Sequence, residues 1–154
     1  MASNPKTQPQ APPKMSIAWG WCFVGLIAGE FLLLLISNLG NLVANKLFGS
    51  SGASAADGGI VGVATLIAVI FGAYLAARKA GRQGLYQGVI VAIGFIIWGA
   101  AFQFFTEATT VAGSLSSGSH TLVDLGPMNL GNVFTGDLLA LFGGSVGGLL
   151  SGKR

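Results

Sequence analysis

The sequence predicts an all-α fold, a bundle of four transmembrane helices, and three observations support this prediction. The 154-residue chain contains four apolar segments of about 20 residues, the length that crosses roughly 30 Å of hydrocarbon at 1.5 Å per residue. Charged residues make up 8% of the chain, against about 25% in a typical soluble domain. The mean hydropathy is +0.71. A soluble protein of this size needs more charge to cover its surface, so the composition argues against a soluble fold.

The N-terminal segment, residues 1–14, holds four of the five prolines together with Gln, Asn and Lys. Such a segment buries too little apolar surface to offset the entropy that ordering removes. The sequence therefore divides into a disordered, Pro-rich cytoplasmic tail (residues 1–14) and a single membrane domain (residues 15–154).

The four apolar segments are predicted to be helices, because backbone polar groups in lipid must be paired within their own segment. Their predicted limits are about 17–37, 59–77, 85–106 and 128–150, and the first helix is expected to continue toward Leu47. The short turn after the second helix makes the second and third helices antiparallel neighbours. Residues 107–127 are interpreted as a long loop, long enough to suggest a function. Pro127 suits the start of the fourth helix, where a backbone N–H has no partner in any case.

The basic residues predict the orientation of these helices. Seven of the eight lie in the tail, in the turn after the second helix or after the fourth helix, and the turn holds Arg78, Lys79 and Arg82. Lys46 alone lies on the opposite side. The positive-inside rule then places both termini in the cytoplasm. Basic residues at segment ends suit membrane orientation rather than a nucleic-acid surface, so membrane lipid is an expected partner and nucleic acid is not.

Two helices carry rows of small residues at every fourth position. Small side chains let helix backbones approach closely in lipid, where van der Waals contact replaces the hydrophobic effect. The rows consist of Gly136, Ala140, Gly144, Gly148 and Gly152 in the fourth helix, and Ala64, Ala68, Gly72 and Ala76 in the second. Two interpretations stay open: contact within the bundle, or contact with another subunit in a homo-oligomer or a larger membrane-protein complex.

Two carboxylates, Glu30 and Asp137, fall inside the apolar segments, and no Lys, Arg or His does. An unpaired charge there is costly, so intramembrane acids are candidate functional residues. Three interpretations are compatible with the pattern. The two groups are protonated or hydrogen-bonded structural acids, they handle a proton or cation, or one pairs with a basic group of another protein.

Further polar side chains cluster in the outer half of the membrane domain. Asn38, Asn41 and Asn45 share one face of the continued first helix, and Gln103 lies near the end of the third. Together they would line a polar vestibule open to the outside, or they would make interfacial and interhelical hydrogen bonds.

The sequence shows no catalytic constellation: Ser-His-Asp order, CxxC and HExxH are all missing. His120 with Glu107 and Asp124 is the only metal-like set, and one His with two carboxylates in a loop makes a poor site. We therefore expect neither an enzyme, a metal site nor a cofactor.

The stretch Phe71–Val91, FGAYLAARKAGRQGLYQGVIV, resembles the centre of the YrzE-like group of small, uncharacterised bacterial four-helix membrane proteins. The shared features are a small-residue helix, a basic Ala-Gly-Arg turn and a Gly-containing helix start, over residues 72–94. The resemblance implies a multi-pass protein of the bacterial inner membrane and brings no activity with it.

Two functions remain as hypotheses. The first is a non-catalytic scaffold or accessory subunit that packs through its Gly and Ala faces. The alternative is a small proton- or cation-coupled transporter or channel that uses Glu30 and Asp137.

Overall fold

The structure is a computed structural model that describes residues 17–81, 83–116 and 130–152. These ranges form four helices, α1 (Trp19–Gly52), α2 (Ala56–Ala80), α3 (Gly84–Ser116) and α4 (Leu130–Leu150). Each is long and apolar enough to cross a membrane. The predicted all-α, four-helix transmembrane fold is therefore confirmed, and the chain is a multi-pass integral membrane protein. The cytoplasmic placement of the termini stays a prediction, and the predicted tail lies outside the described residues.

α1 and α2 belong to one helical stretch, Trp19–Ala80, that is broken at Gly49. Gly49 has φ 71° and ψ 179°, a backbone region that is almost restricted to glycine. The break lets the chain reverse, so that α2 returns antiparallel to α1. Residues 1–16, which precede this stretch, and residues 117–129, which precede α4, are not among those described.

One helix extends well beyond the limits predicted from hydropathy. α1 runs unbroken up to the break at Gly49, in line with the expected continuation toward Leu47, whereas α3 continues to Ser116 rather than to residue 106. The first half of the predicted loop 107–127 is therefore helix. Hydropathy locates the end of the hydrocarbon, whereas a helix continues through polar sequence until a turn residue or a proline ends it.

α2 ends at a tight turn that carries the basic residues. Gly81 adopts the left-handed conformation, with φ 74°, and its N–H bonds to the carbonyl of Ala77, a common way to end a helix. Gln83, just before α3, also has a positive φ of 50°. We call this end of the bundle, marked by Trp19, Arg78 and Lys79, the basic end, and the opposite end the far end.

The described helices pack against one another in four neighbouring pairs. α1 packs on α2 where Gly25 meets Gly72 and where Gly40 meets Ile60. α1 runs parallel to α3, with Leu26 packed against Gly94. α4 contacts both α2 and α3, through faces of these helices other than those that α1 uses. α1 and α4 therefore occupy opposite corners of the bundle.

The bundle interior is built from small apolar side chains. Its central cluster contains Cys22, Ala68, Val69, Ala73, Ala76, Val91, Ala92, Phe95 and Ala140. Alanine dominates because lipid offers apolar side chains as good a solvent as the interior does, and close backbone contact is what stabilises the pair. Large apolar side chains instead point outward, as expected of a surface covered by lipid.

α1 is too long for the hydrocarbon. Its unbroken part, residues 19–48 before the break at Gly49, spans about 45 Å at 1.5 Å per residue, against about 30 Å of hydrocarbon. Fitting this part inside would need a tilt of roughly 48°, beyond the range of about 0–40° in which membrane helices are found. With Trp19 and Lys79 at one interface, the last turns of α1 extend out of the hydrocarbon at the far end.

Candidate functional site

The small-residue row of α4 faces α3 of the same chain over its middle part. A Cβ atom added to Gly144 would lie 2.6 Å from Ala92 Cβ, and one added to Gly148 would lie 2.9 Å from Leu85 Cα. Ala140 is also buried. These three positions are covered by the chain itself.

The two ends of that row lie in different surroundings. Gly136 has open space around its α-carbon, and Gly152 follows the end of α4 with φ +64°. Gly152 therefore supports the end of the helix rather than a contact, and Gly136 is the only described position in this row that remains open to a neighbour.

A second glycine row on α4, which the fourfold pattern did not single out, packs against α2. A Cβ atom added to Gly147 would lie 2.9 Å from Ala73 Cβ, and one added to Gly143 would lie 3.2 Å from the carbonyl oxygen of Leu66. The doubled pattern, Gly143-Gly144 and Gly147-Gly148, is the sequence signal that one helix contacts two neighbours.

The row on α2 is fully buried. Ala64, Ala68 and Ala76 have no exposed surface. Gly72 lies against the backbone of Gly25 in α1. This contact closes the α1–α2 pair at mid-height.

The two intramembrane carboxylates lie on helices at opposite corners of the bundle. Glu30 and Asp137 are both half-buried. No hydrogen bond or ion pair joins either of them to another described residue. Glu30 lies 11 residues into α1, about 17 Å from its start, which is close to the middle of the hydrocarbon.

The polar residues of the far end make local hydrogen bonds. Asn41 Nδ2 donates to Asp57 Oδ1 at 2.9 Å and so links α1 to α2. Asn38 Nδ2 donates to the carbonyl of Leu34 at 2.7 Å, and Gln103 Nε2 donates to Glu107 Oε1 at 3.2 Å. The side chain of Asn45 is exposed. Among the hydrogen bonds described for these residues, that of Asn41 joins two helices.

The structure shows a buried polar cluster near the basic end that the sequence analysis does not predict. Gln87 of α3 has no exposed surface. Its Oε1 accepts a hydrogen bond from the Cys22 thiol at 2.8 Å and another from the Ala18 N–H at 3.4 Å. Two atoms one helical turn apart, Gln87 Nε2 and Gln83 Oε1, are buried without a partner in the described structure. The sequence feature that could have identified this cluster is the presence of a glutamine inside an apolar run.

The basic residues of the turn contact aromatic rings. The Arg78 guanidinium lies 5.7 Å from the centre of the Tyr74 ring and donates to its hydroxyl at 2.7 Å. The Lys79 ammonium lies 5.8 Å from the centre of the Trp21 ring. Such contacts hold cations at the level of the lipid headgroups. Arg82 is outside the described residues.

The described residues include no group of three or more His, Cys, Asp and Glu side chains placed to hold a metal ion. His120 and Asp124, from the metal-like set of the sequence, lie outside the described ranges.

No protein-family model, curated protein or solved structure matches the chain. The resemblance of residues 72–94 to the YrzE-like group therefore stays a prediction.

Proposed function

We propose that the chain is a non-catalytic scaffold or accessory subunit of a larger membrane-protein complex. The observation that carries the proposal is an apolar surface on α1 above the hydrocarbon. Leu47 and Phe48 are 69% and 65% exposed there, and no described residue covers them. Burying one such side chain contributes about 1.5–3 kcal/mol when the alternative is water. A partner at the far end of the bundle therefore gains from covering this surface.

The interior of the bundle supports the same proposal. Apart from the Cys22–Gln87 contact near the basic end, the central cluster between the helices is apolar, and alanine and glycine residues pack closely there. A path for ions or polar substrates through one chain needs polar groups along it. A rigid body that presents side chains to a neighbour needs none.

A paired substitution tests the scaffold function. We expect Leu47→Ala with Phe48→Ala to release the chain from its native complex, because both exposed side chains at the far end are removed. Ile27→Ala with Phe31→Ala is the matched control, since these side chains are 54% and 70% exposed on the same helix but lie within the hydrocarbon. The readout is the mass of the complex after extraction with its native lipid.

The control pair should leave that mass unchanged. A wild-type chain that is monomeric in native lipid would overturn the scaffold function. Equal release by both pairs would show that the effect is not specific to the surface at the far end.

A second candidate is proton or cation transport, which one observation favours: the Glu30 carboxylate lies near mid-membrane with no described partner. If the chain transports protons or cations, liposomes that contain it show a proton or cation flux that Glu30→Gln or Asp137→Asn lowers at least tenfold. A dye-based flux assay measures this directly. An absent flux, or a flux that neither substitution changes, excludes the candidate.

A further inference from the structure

A groove of about 430 Å³ runs between α1 and α3, beginning at the basic end. Trp19 and Tyr86 lie at its mouth, and Ile97 lies at its deep end. From Tyr86 to Ile97 the groove follows 11 residues of helix, about 17 Å. One leaflet contributes about half of the 30 Å hydrocarbon thickness. The groove therefore has the length of a single leaflet.

The groove has aromatic side chains at its mouth and aliphatic side chains in its deeper part. Trp19, Tyr86 and Cys22 line its first turns, and Trp and Tyr rings prefer the level of the headgroups. Leu26, Ile90 and Ile97 line the deeper part. An acyl chain entering from the basic end would meet only apolar side chains below the level of its ester groups.

The charge at the basic end of the bundle selects the headgroup. Arg78 and Lys79 do not line the groove, but both are exposed at the end of the bundle where the groove opens. The four described carboxylates, Glu30, Asp57, Glu107 and Asp137, all lie deeper in the membrane or toward the far end. A basic residue near the membrane surface attracts anionic lipid. The positive charge at this end of the bundle therefore complements a negatively charged phosphate group.

The lining favours a lipid chain over a helix of a second copy. Close packing between membrane helices uses small side chains, and here Gly94 is the only small residue besides Cys22 among large ones such as Phe23 and Ile93. The small-residue rows are engaged elsewhere, between α4 and its neighbours. A flexible acyl chain, by contrast, adapts to a surface of large apolar side chains.

We propose that this groove binds one acyl chain of an anionic phospholipid, whose headgroup lies at the basic end near Arg78 and Lys79. The site is independent of the scaffold function, because it lies at the end of the bundle opposite to Leu47 and Phe48. Bound lipid would fill the space between α1 and α3 along one leaflet.

Native mass spectrometry of the full chain tests the proposal, after exchange into detergent with phosphatidylglycerol or with phosphatidylcholine of the same acyl chains. We expect the wild-type chain to retain one phosphatidylglycerol at least tenfold more tightly than phosphatidylcholine. Gly94→Leu and Ile90→Trp, which each fill the groove, should lower phosphatidylglycerol retention at least tenfold. Gly99→Leu is the control on the same helix, because nothing lies within 4 Å of the added Cβ position.

The headgroup preference has its own variant. Arg78→Gln with Lys79→Gln should reduce the preference for phosphatidylglycerol to less than threefold, while one lipid still binds. Retention that neither groove-filling variant lowers would overturn the proposal, and so would equal retention of the two lipids by the wild type. A dimer that Gly94→Leu and Ile90→Trp both split would assign the groove to a second copy instead, and would also overturn it.

Discussion

Replacing Gly88 with leucine is expected to separate α4 from α3 and to give the largest loss of stability of any single substitution in the membrane. A Cβ atom at Gly88 would collide with the carbonyl oxygen of Gly144 and lie 2.9 Å from the α-carbon of Gly148. Backbone atoms cannot rotate away, so the two helices must move apart. Overpacking typically lowers stability by about 1–3 kcal/mol, and we expect at least about 3 kcal/mol here because the obstacle is backbone.

The same helix offers the control for this experiment. An added Cβ at Gly99 meets nothing within 4 Å, and leucine favours helix over glycine by about 0.8 kcal/mol. Gly99→Leu should therefore leave the unfolding free energy unchanged or slightly higher. Reversible unfolding in mixed detergent measures both variants. Equal losses for Gly88→Leu and Gly99→Leu would contradict the contact between α3 and α4.

Replacing Gln87 with alanine is expected to give the second large effect. The side chain is fully buried against α1, so its removal leaves a cavity and leaves the Ala18 N–H without its acceptor. Truncating a buried side chain of this size costs about 2–5 kcal/mol. We expect a loss of about 2–4 kcal/mol in the unfolding free energy, measured in the same assay.

A variant that keeps the volume separates packing from hydrogen bonding. Gln87→Met removes the polar atoms, including the unpartnered Nε2, and preserves most of the volume. Because volume-conserving exchanges usually cost less than about 1.5 kcal/mol, we expect a much smaller loss for methionine than for alanine. Equal losses for Gln87→Met and Gln87→Ala would mean that the hydrogen bonds to Cys22 and Ala18, and not the packing of the side chain, stabilise the contact between α1 and α3.

The four spans followed from sequence because hydropathy over 20 residues responds to one strong requirement, the pairing of backbone groups in lipid. The same signal said little about where α3 ends. Residues 107–116 are too polar to count as a membrane span, yet they continue α3 to Ser116. Hydropathy measures the solvent around a segment, and not its secondary structure.

The contacts at the candidate site are harder to predict from the sequence than the four spans are. The fourfold rows identified residues that make close contacts, but periodicity on one helix does not say which neighbour covers it. Gln87 was overlooked because one polar residue barely lowers the hydropathy of its segment. Its importance depends on Cys22, which lies 65 positions earlier in the chain and meets it only after α1 and α3 have come together.

Gly84 and Gly88 of α3 pack against Gly144 and Gly148 of α4, and this contact bears on how the two helices can slide. Both rows repeat every four residues, so sliding α4 by one turn, about 5.4 Å, would again set glycine against glycine. One-turn shifts of this kind are a known mode of helix motion. Contact between glycines fixes the distance between the two helices and leaves the axial register of α4 to bulkier neighbours such as Leu66 and Val69, which lie against Gly143. Substitutions at those few bulky positions are therefore the ones that would let the bundle slip lengthwise without coming apart.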